Sequence, residues 1–372
     1  MSTVNTVSSG NSGSAQPDLL HSEEEEAVRA AVRDLLTDHC DAAGVITRTE
    51  SDAPHDPSLW KSLADSMGMA GLLIPEEYGG QGAGHREAAV VLEELGRAVA
   101  PVPYLTSAVV ATEALLACED GELLAGLAGG RRTGALAVGL HTAPGAAFKT
   151  VRLENGTLSG ELTGIADAAV ADVLLVPADD GGLHAVEAGA ATVTPQVSLD
   201  PTRPLATVTL DGAPARRLGD AAPAVHRALR AGAGLLASEQ LGLADWTLAE
   251  TVRYLKERKQ FNRPVGGFQA LKHRLAQLWL EVAHLRAAAR NAADALATGR
   301  DADVAVAVAQ AYAAPVAVHA AEEALQLHGG IGMTWEHPVH LYLKRAKADS
   351  IAYGTAGAHR EALAGLVDLQ AP

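Results

Sequence analysis

The chain has 372 residues and a formal net charge of −16, with 48% apolar, 20% charged and only 3% aromatic residues. At roughly 150 residues per domain, this length predicts two or three domains around a core built mostly of Ala, Leu and Val. The acidic balance excludes non-specific nucleic-acid binding, which needs a basic face. No apolar run reaches the ~18 residues of a membrane span. Cys40 and Cys118 show neither metal-ligand spacing nor a disulfide framework, so a reducing, cytoplasmic location is expected.

Residues 1–21 are rich in Ser, Gly and Asn and lack the basic and apolar regions of a secretory signal, so they read as a disordered tail. Ser22 followed by Glu23, Glu24, Glu25 and Glu26 predicts an N-cap with an acidic, solvated first turn. Val28, Val32, Leu35 and Leu36 then recur at helical spacing. Further helices are predicted from Leu59 to Met67, stopped by Gly68, from Arg86 to Gly96, and from Ser107 to Ala117, with the turn-rich stretch Ile74 to Gly82 between them. Residues 22–129 therefore read as an N-terminal α-helical domain.

The texture changes over residues 130–220. Short β-prone runs (Ala135 to Leu140, Val151 to Leu153, Val173 to Val176, Ala206 to Leu210) are separated by the turn signals Asn155-Gly156, Asp180-Gly181-Gly182 and Asp211-Gly212, which predicts a central β domain. Over residues 221–372 long amphipathic stretches return, from Val225 to Lys259, Gln269 to Thr298 and Asp301 to Leu327, punctuated by Gly299 and Gly329-Gly330. Helices of that length suit a bundle. The chain shows no internal repeat.

Two stretches stand out at the ends of these long helices. Glu257-Arg258-Lys259-Gln260-Phe261-Asn262-Arg263-Pro264, with Phe268-Gln269 soon after, reads either as a basic helix C-terminus followed by a turn or as an anion site. Gln326-Leu327-His328-Gly329-Gly330-Ile331-Gly332 reads either as a C-cap or as a backbone that a phosphate can approach. Neither is decisive alone. Taken in order with Trp60, Gly71-Leu72, Ile74 to Gly82, Leu92-Glu93-Glu94-Leu95-Gly96 and Trp335-Glu336-His337, they make the chain resemble the acyl-CoA dehydrogenase family over nearly its whole ordered length.

The resemblance implies a fold with an N-terminal α-helical domain, a central β-barrel-like domain and a C-terminal four-helix bundle that builds a tetramer. It also implies FAD at a subunit interface. In the family, the residues matching Arg258, Phe261, Gln269, Gln326, Gly329, Gly330 and Gly332 reach the cofactor of a neighbouring subunit. The chemistry agrees, since a guanidinium suits a pyrophosphate.

The same resemblance exposes losses. Family members abstract an α-proton from an acyl thioester with a carboxylate in a Tyr-Glu-Gly-Thr segment. Here that segment is Ala352-Tyr353-Gly354-Thr355, so Tyr353 stands at the base position. A phenol with a pKa of about 10 is a poor base at neutral pH. The family's second station for the base, early in the first long bundle helix, falls on Gly232, with Glu239 the nearest downstream carboxylate. The flavin-lining Thr-Glu-Pro-Gly segment survives only as Pro144-Gly145 within His141 to Phe148, and the Trp-x-Thr segment falls on Gly164-Ile165-Ala166.

Losses on the catalytic side with retention on the interface side imply a non-catalytic subunit. It resembles the second chain of bacterial α2β2 acyl-CoA dehydrogenases, completing the FAD site of a catalytic partner. The substrate implied is an acyl-CoA, with a steroid side-chain CoA suggested by those relatives, and the electron acceptor implied is an electron-transfer flavoprotein. Two other readings stay open: a self-sufficient homotetrameric dehydrogenase with an unrecognised base such as Glu239, and a flavin-free scaffold or acyl-CoA-binding protein. His328 and His337 flank the glycine segment, but nothing in their spacing suggests a metal, and none is expected.

Overall fold

The computed structural model describes residues 19–369; most of the tail expected over residues 1–21 lies outside them. The described chain runs from helices through strands and back to helices. The N-terminal helices are α1 (Glu23–His39), α2 (Ala42–Thr49), α3 (Pro57–Lys61), α4 (His85–Ala98), α5 (Thr112–Cys118) and α6 (Gly121–Ala128). Ser22 caps α1 in a full capping box, its hydroxyl accepting from Glu25 N–H at 3.1 Å while Glu25 Oε2 accepts from Ser22 N–H at 3.0 Å. The acidic turn is not wholly solvated as expected. Glu25 is buried and accepts from Arg86 Nε of α4 at 2.6 Å, which ties the first helix to the domain. The helix expected from Ser107 begins earlier, as a π-helical turn over Tyr104–Ala111 that leads into α5.

The Leu92-Glu93-Glu94-Leu95-Gly96 motif belongs to this packing. Leu92 and Leu95 enter the main core, while Glu93 and Glu94 pair with Arg29 and Arg33 of α1 at 3.2 and 2.6 Å. Gly96 sits where α4 crosses the first bundle helix: a Cβ there would lie 2.2 Å from Glu239 O, and one on Gly242 would lie 1.9 Å from Glu93 O. Only glycine lets the two backbones approach this closely.

Eight strands follow: β1 (Gly134–Leu136), β2 (Arg152–Glu154), β3 (Thr157–Ala166), β4 (Val173–Pro177), β5 (Gly182–Glu187), β6 (Thr192–Gln196), β7 (Leu205–Pro214) and β8 (Arg216–Asp220). They form two four-stranded sheets, ordered β1-β4-β5-β8 and β2-β3-β7-β6, antiparallel except for the parallel β1–β4 pair. The sheets enclose one apolar core that includes Leu158, Leu162 and Ile165 from one side and Leu174, Val176 and Val186 from the other.

The C-terminal helices are α7 (Ala221–Glu257), α8 (Gln269–Thr298), α9 (Ala302–His328), α10 (Val339–Asp349) and α11 (Ala356–Leu366), with a two-stranded ribbon of β9 (Lys259–Gln260) and β10 (Arg263–Pro264) between α7 and α8. The three long helices fall close to their predicted limits. Contrary to the sequence expectation, α9 and the turn after it are long and apolar enough, by composition, to cross a membrane. Its apolar length is spent inside the protein instead. Ala309, Ala313, Val316 and Ala320 pack with Leu241 of α7 and Leu278 and Val282 of α8.

Candidate functional site

The two positions at which a base was sought meet in space. Tyr353 lies in the turn between α10 and α11, and Gly232 lies in α7. A Cβ built on Gly232 would sit 3.1 Å from Tyr353 Cζ and 2.8 Å from Val110 Cγ2 of the π-helical turn. The phenol ring thus occupies the space that a side chain at either station would need. Tyr353 is buried, and its backbone is held in the left-handed region at φ 51°. Its N–H donates to Leu140 O at 2.6 Å, and its carbonyl accepts from His359 Nε2 at 3.0 Å. Gly354 follows at φ 102°, and Thr355 caps α11 by accepting from Ala358 N–H at 3.2 Å. Burial drives the Tyr353 phenol well above its ordinary pKa, which keeps it neutral at pH 7.

Glu239 has both carboxylate oxygens engaged. It is buried, with Oε2 accepting from Arg203 Nη2 at 2.5 Å and Oε1 from Arg345 Nη1 at 2.6 Å. Burial would raise its carboxyl, but the two guanidiniums outweigh that and hold it below the ordinary carboxylate value. Arg203 also donates to Asp349 Oδ1 at 2.8 Å, and Arg345 Nε donates to Asp200 Oδ2 at 2.5 Å. Two guanidiniums thus face three carboxyls. Asp349 is raised well above the ordinary value, first by burial and then by Glu239, and its Oδ2 is buried with no hydrogen-bond partner. A protonated Asp349 leaves the cluster neutral and joins the loop before β7 to α7 and α10. The sequence reading did not find this cluster. Its only local trace is the i, i+4 spacing of Arg345 and Asp349 on α10.

On the side where the resemblance places a flavin ring, the family's ring contacts are replaced. Gly164, at the expected aromatic position, adopts φ 71°, donates to Gln196 Oε1 at 2.9 Å and accepts from Leu140 N–H at 2.9 Å. Ile165 enters the β core, and Ala166 beside it is buried. A Cβ on Gly354 would lie 2.7 Å from Ala143 Cβ, so the loop over Ala143–Pro144 closes on the Tyr353 turn. What remains is a cleft of ≈ 370 Å³ among Ala143, Pro144, His226, Arg230, Asp303 and His359. Arg230 is engaged there by Asp303 at 3.4 Å. This side offers no aromatic plane and no hydroxyl in the Gly164–Ala166 segment, and it does not fit a flavin ring held as in the family.

The segments at the ends of the long helices keep their donors. Arg258 caps α7, its N–H donating to Tyr254 O at 2.8 Å. Phe261 and Asn262 both take left-handed conformations, φ 53° and 57°, and so form the tight turn between β9 and β10. That turn leaves Phe261 85% exposed, edge-on to Phe268, whose ring lies under the Arg263 guanidinium at 3.9 Å. Arg258, Gln326, Gly329 and Gly330 line one open cleft of ≈ 410 Å³, with Gln260 and Arg274 beside them. A Cβ on Gly329 or Gly330 would meet nothing within 4 Å, so their backbone is approachable. Phe261 and Gln269 stand outside this cleft on the exposed surface, and Gly332 is buried against Leu325 O. The guanidinium and the open glycine backbone fit the diphosphate of a dinucleotide cofactor.

Comparison with known proteins decides the family. The acyl-CoA dehydrogenase N-terminal domain matches residues 22–118 and the acyl-CoA dehydrogenase C-terminal domain matches residues 222–366. The chain is 37% identical to acyl-CoA dehydrogenase IpdE2 of Mycolicibacterium smegmatis, over 90% of this chain and 95% of that protein. The chain belongs to the acyl-CoA dehydrogenase family. Its helical, sheet and helical parts form the acyl-CoA dehydrogenase fold. Among solved structures, it is similar to a variant of the Tcur3481-Tcur3483 steroid ACAD (TM-score 0.82, 32% identity, covering 93% of this chain and 98% of that one). It is also similar to the ChsE4-ChsE5 complex from Mycobacterium tuberculosis (TM-score 0.85, 28% identity, covering 95% and 100%).

Proposed function

We propose that this acyl-CoA dehydrogenase homologue is the non-catalytic chain of an α2β2 dehydrogenase acting on an acyl-CoA, with a steroid side-chain thioester the favoured class. The observation that carries this reading is the contact of Tyr353 with Gly232: both stations for the catalytic carboxylate are occupied by one buried phenol ring. Chelation of Glu239 by Arg203 and Arg345 supports the same reading. The heteromeric assignment draws support from the two-chain names of the Tcur3481-Tcur3483 and ChsE4-ChsE5 neighbours, and the substrate class from the first of these.

FAD, in this family, accepts the β-hydride of the thioester. In the proposed complex, this chain's part is binding and orientation. Arg258 neutralises diphosphate charge, the Gly329–Gly330 backbone and Gln326 present polar groups beside it, and Phe261 with Gln269 lies on the exposed surface that meets the partner. Gly332, packed on Leu325 O, holds the glycine segment in shape. The partner supplies the base and the ring contacts and passes electrons to an electron-transfer flavoprotein. With Cys40 and Cys118 both free, the complex is assigned to the reducing cytoplasm.

The test is expression of the chain alone and together with a catalytic acyl-CoA dehydrogenase subunit encoded beside it, with visible absorbance and solution mass recorded for each. The reading expects colourless protein alone and a yellow heterotetramer with one flavin per pair of chains. A yellow homotetramer that oxidises an acyl-CoA unaided would overturn it.

A further inference from the structure

At the edge of the cofactor cleft, which His328 also lines, three donors from distant parts of the chain converge. Glu250 lies in α7, His328 ends α9, and His337 follows the glycine segment. One donor atom from each lies within 4.8 Å of the other two, with His337 Nε2 at 3.8 Å from Glu250 Oε1. Local spacing could not reveal this group, because Glu250 comes from another helix.

His328 is packed between two rings with one ring nitrogen left without a hydrogen-bond partner. It is 2% exposed, and its Nδ1–H donates to Ala324 O at 2.7 Å. That bond fixes the tautomer with a lone pair on Nε2, and Nε2 is buried with no hydrogen-bond partner. Leaving a buried acceptor unsatisfied is destabilising, and a backbone carbonyl on the far nitrogen is the usual support of a metal-bound imidazole. The ring is held between Tyr254, stacked at 4.6 Å, and His337 at 4.4 Å. Glu250 is also held, with Arg253 Nε donating to Oε2 at 2.8 Å and Nη2 to Oε1 at 2.5 Å, so an ion on Oε1 would share or displace the second bond.

We propose that Glu250, His328 and His337 bind a divalent first-row transition metal, Zn²⁺ by donor chemistry. Two imidazoles and one carboxylate form a set that zinc accepts with a fourth position left to water. Ligand atoms at zinc distances of about 2.0–2.2 Å would draw together from their present spacing, and His337 would give up the long 3.3 Å contact it accepts from Val339 N–H. The ion would act as a clasp. It would fix the segment from Gly329 to His337 against α7, and so set the glycine backbone beside Arg258. This inference does not depend on the identity of the partner or on the chain's own catalytic state.

The experiment uses the full-length chain after dialysis against a chelator. Zn²⁺ is titrated in competition with a chromogenic chelator, and Co²⁺ is added separately to read the visible d–d bands. The expected result is one ion per chain, a rise in melting temperature with Zn²⁺, and an affinity lowered about 100-fold or more in both His337→Asn and Glu250→Gln. His319→Asn, at the separate pair with Glu281, should leave the affinity unchanged. The proposal is overturned if the dialysed chain takes up no ion, or if both site variants bind Zn²⁺ as the parent chain does.

Discussion

Removing the Tyr353 ring measures whether it fills the space where a substrate would react. Tyr353→Ala leaves the backbone in the same left-handed conformation but deletes the ring that meets Gly232 and the neighbouring Val110. A buried aromatic truncated to alanine costs about 3–5 kcal/mol, of which the residual cavity is part. For a chain of this size, with a urea slope near the upper end of roughly 1–3 kcal/mol/M, that cost moves the midpoint down by about 1–2 M. Tyr353→Phe keeps the ring and should move it little. The assay is urea unfolding followed by near-UV circular dichroism, with flavin content measured on both variants. A shift below about 0.3 M for Tyr353→Ala would mean that the ring is not packed, and that the pocket is available for chemistry. A deep cost with no gain of flavin would agree with the filled pocket.

Other expectations follow from the buried contacts. Arg203→Met strips a guanidinium from Glu239 and Asp349 and should cost about 3–5 kcal/mol in chemical unfolding; Arg152→Met, at an exposed pair with Glu154, should cost at most about 1 kcal/mol. The raised Asp349 carboxyl means that the folded chain holds a proton the unfolded chain releases above its ordinary value of 3.8. Its contribution is therefore present below that value and declines as pH rises through the higher folded pKa. Asp349→Asn should flatten the change of melting temperature between about pH 4 and 7, and an unaltered pH profile would contradict the protonated state. Gly242→Ala places a methyl 1.9 Å from Glu93 O, so it should lower stability by about 1–3 kcal/mol or more, read as a fall in melting temperature.

The fold was legible where helical periodicity ran long. Helix α8 spans Gln269–Thr298 as predicted, and α7 and α9 differ only at their ends. The sheets were read less completely. In β3 the alternation is interrupted at Gly160 and Gly164, where the pairing with β7 changes register, so the strand lacks a clean two-residue period. The membrane expectation failed to register α9 because a buried bundle helix and a spanning helix share composition and differ only in what surrounds them.

At the site, Tyr353, Gly232 and Arg258 were each visible as single residues in a recognisable pattern. The contact of Tyr353 with Gly232 was not, because it joins a turn near the C-terminus to the middle of α7, with Val110 of the first domain closing the space. Glu239 read as a spare carboxylate until Arg203 and Arg345, from a β-domain loop and from α10, were seen on its two oxygens. Glu250 stayed unremarked for the same reason, since its nearness to His328 and His337 is wholly tertiary.

The most direct test of the central claim is the FAD content of the purified heterotetramer when this chain carries Arg258→Ala. Bound FAD and acyl-CoA oxidation should both fall at least tenfold while the assembly keeps its mass if, as proposed, the guanidinium serves a cofactor held by the partner. An Arg258→Ala complex with full FAD and full activity would contradict the account.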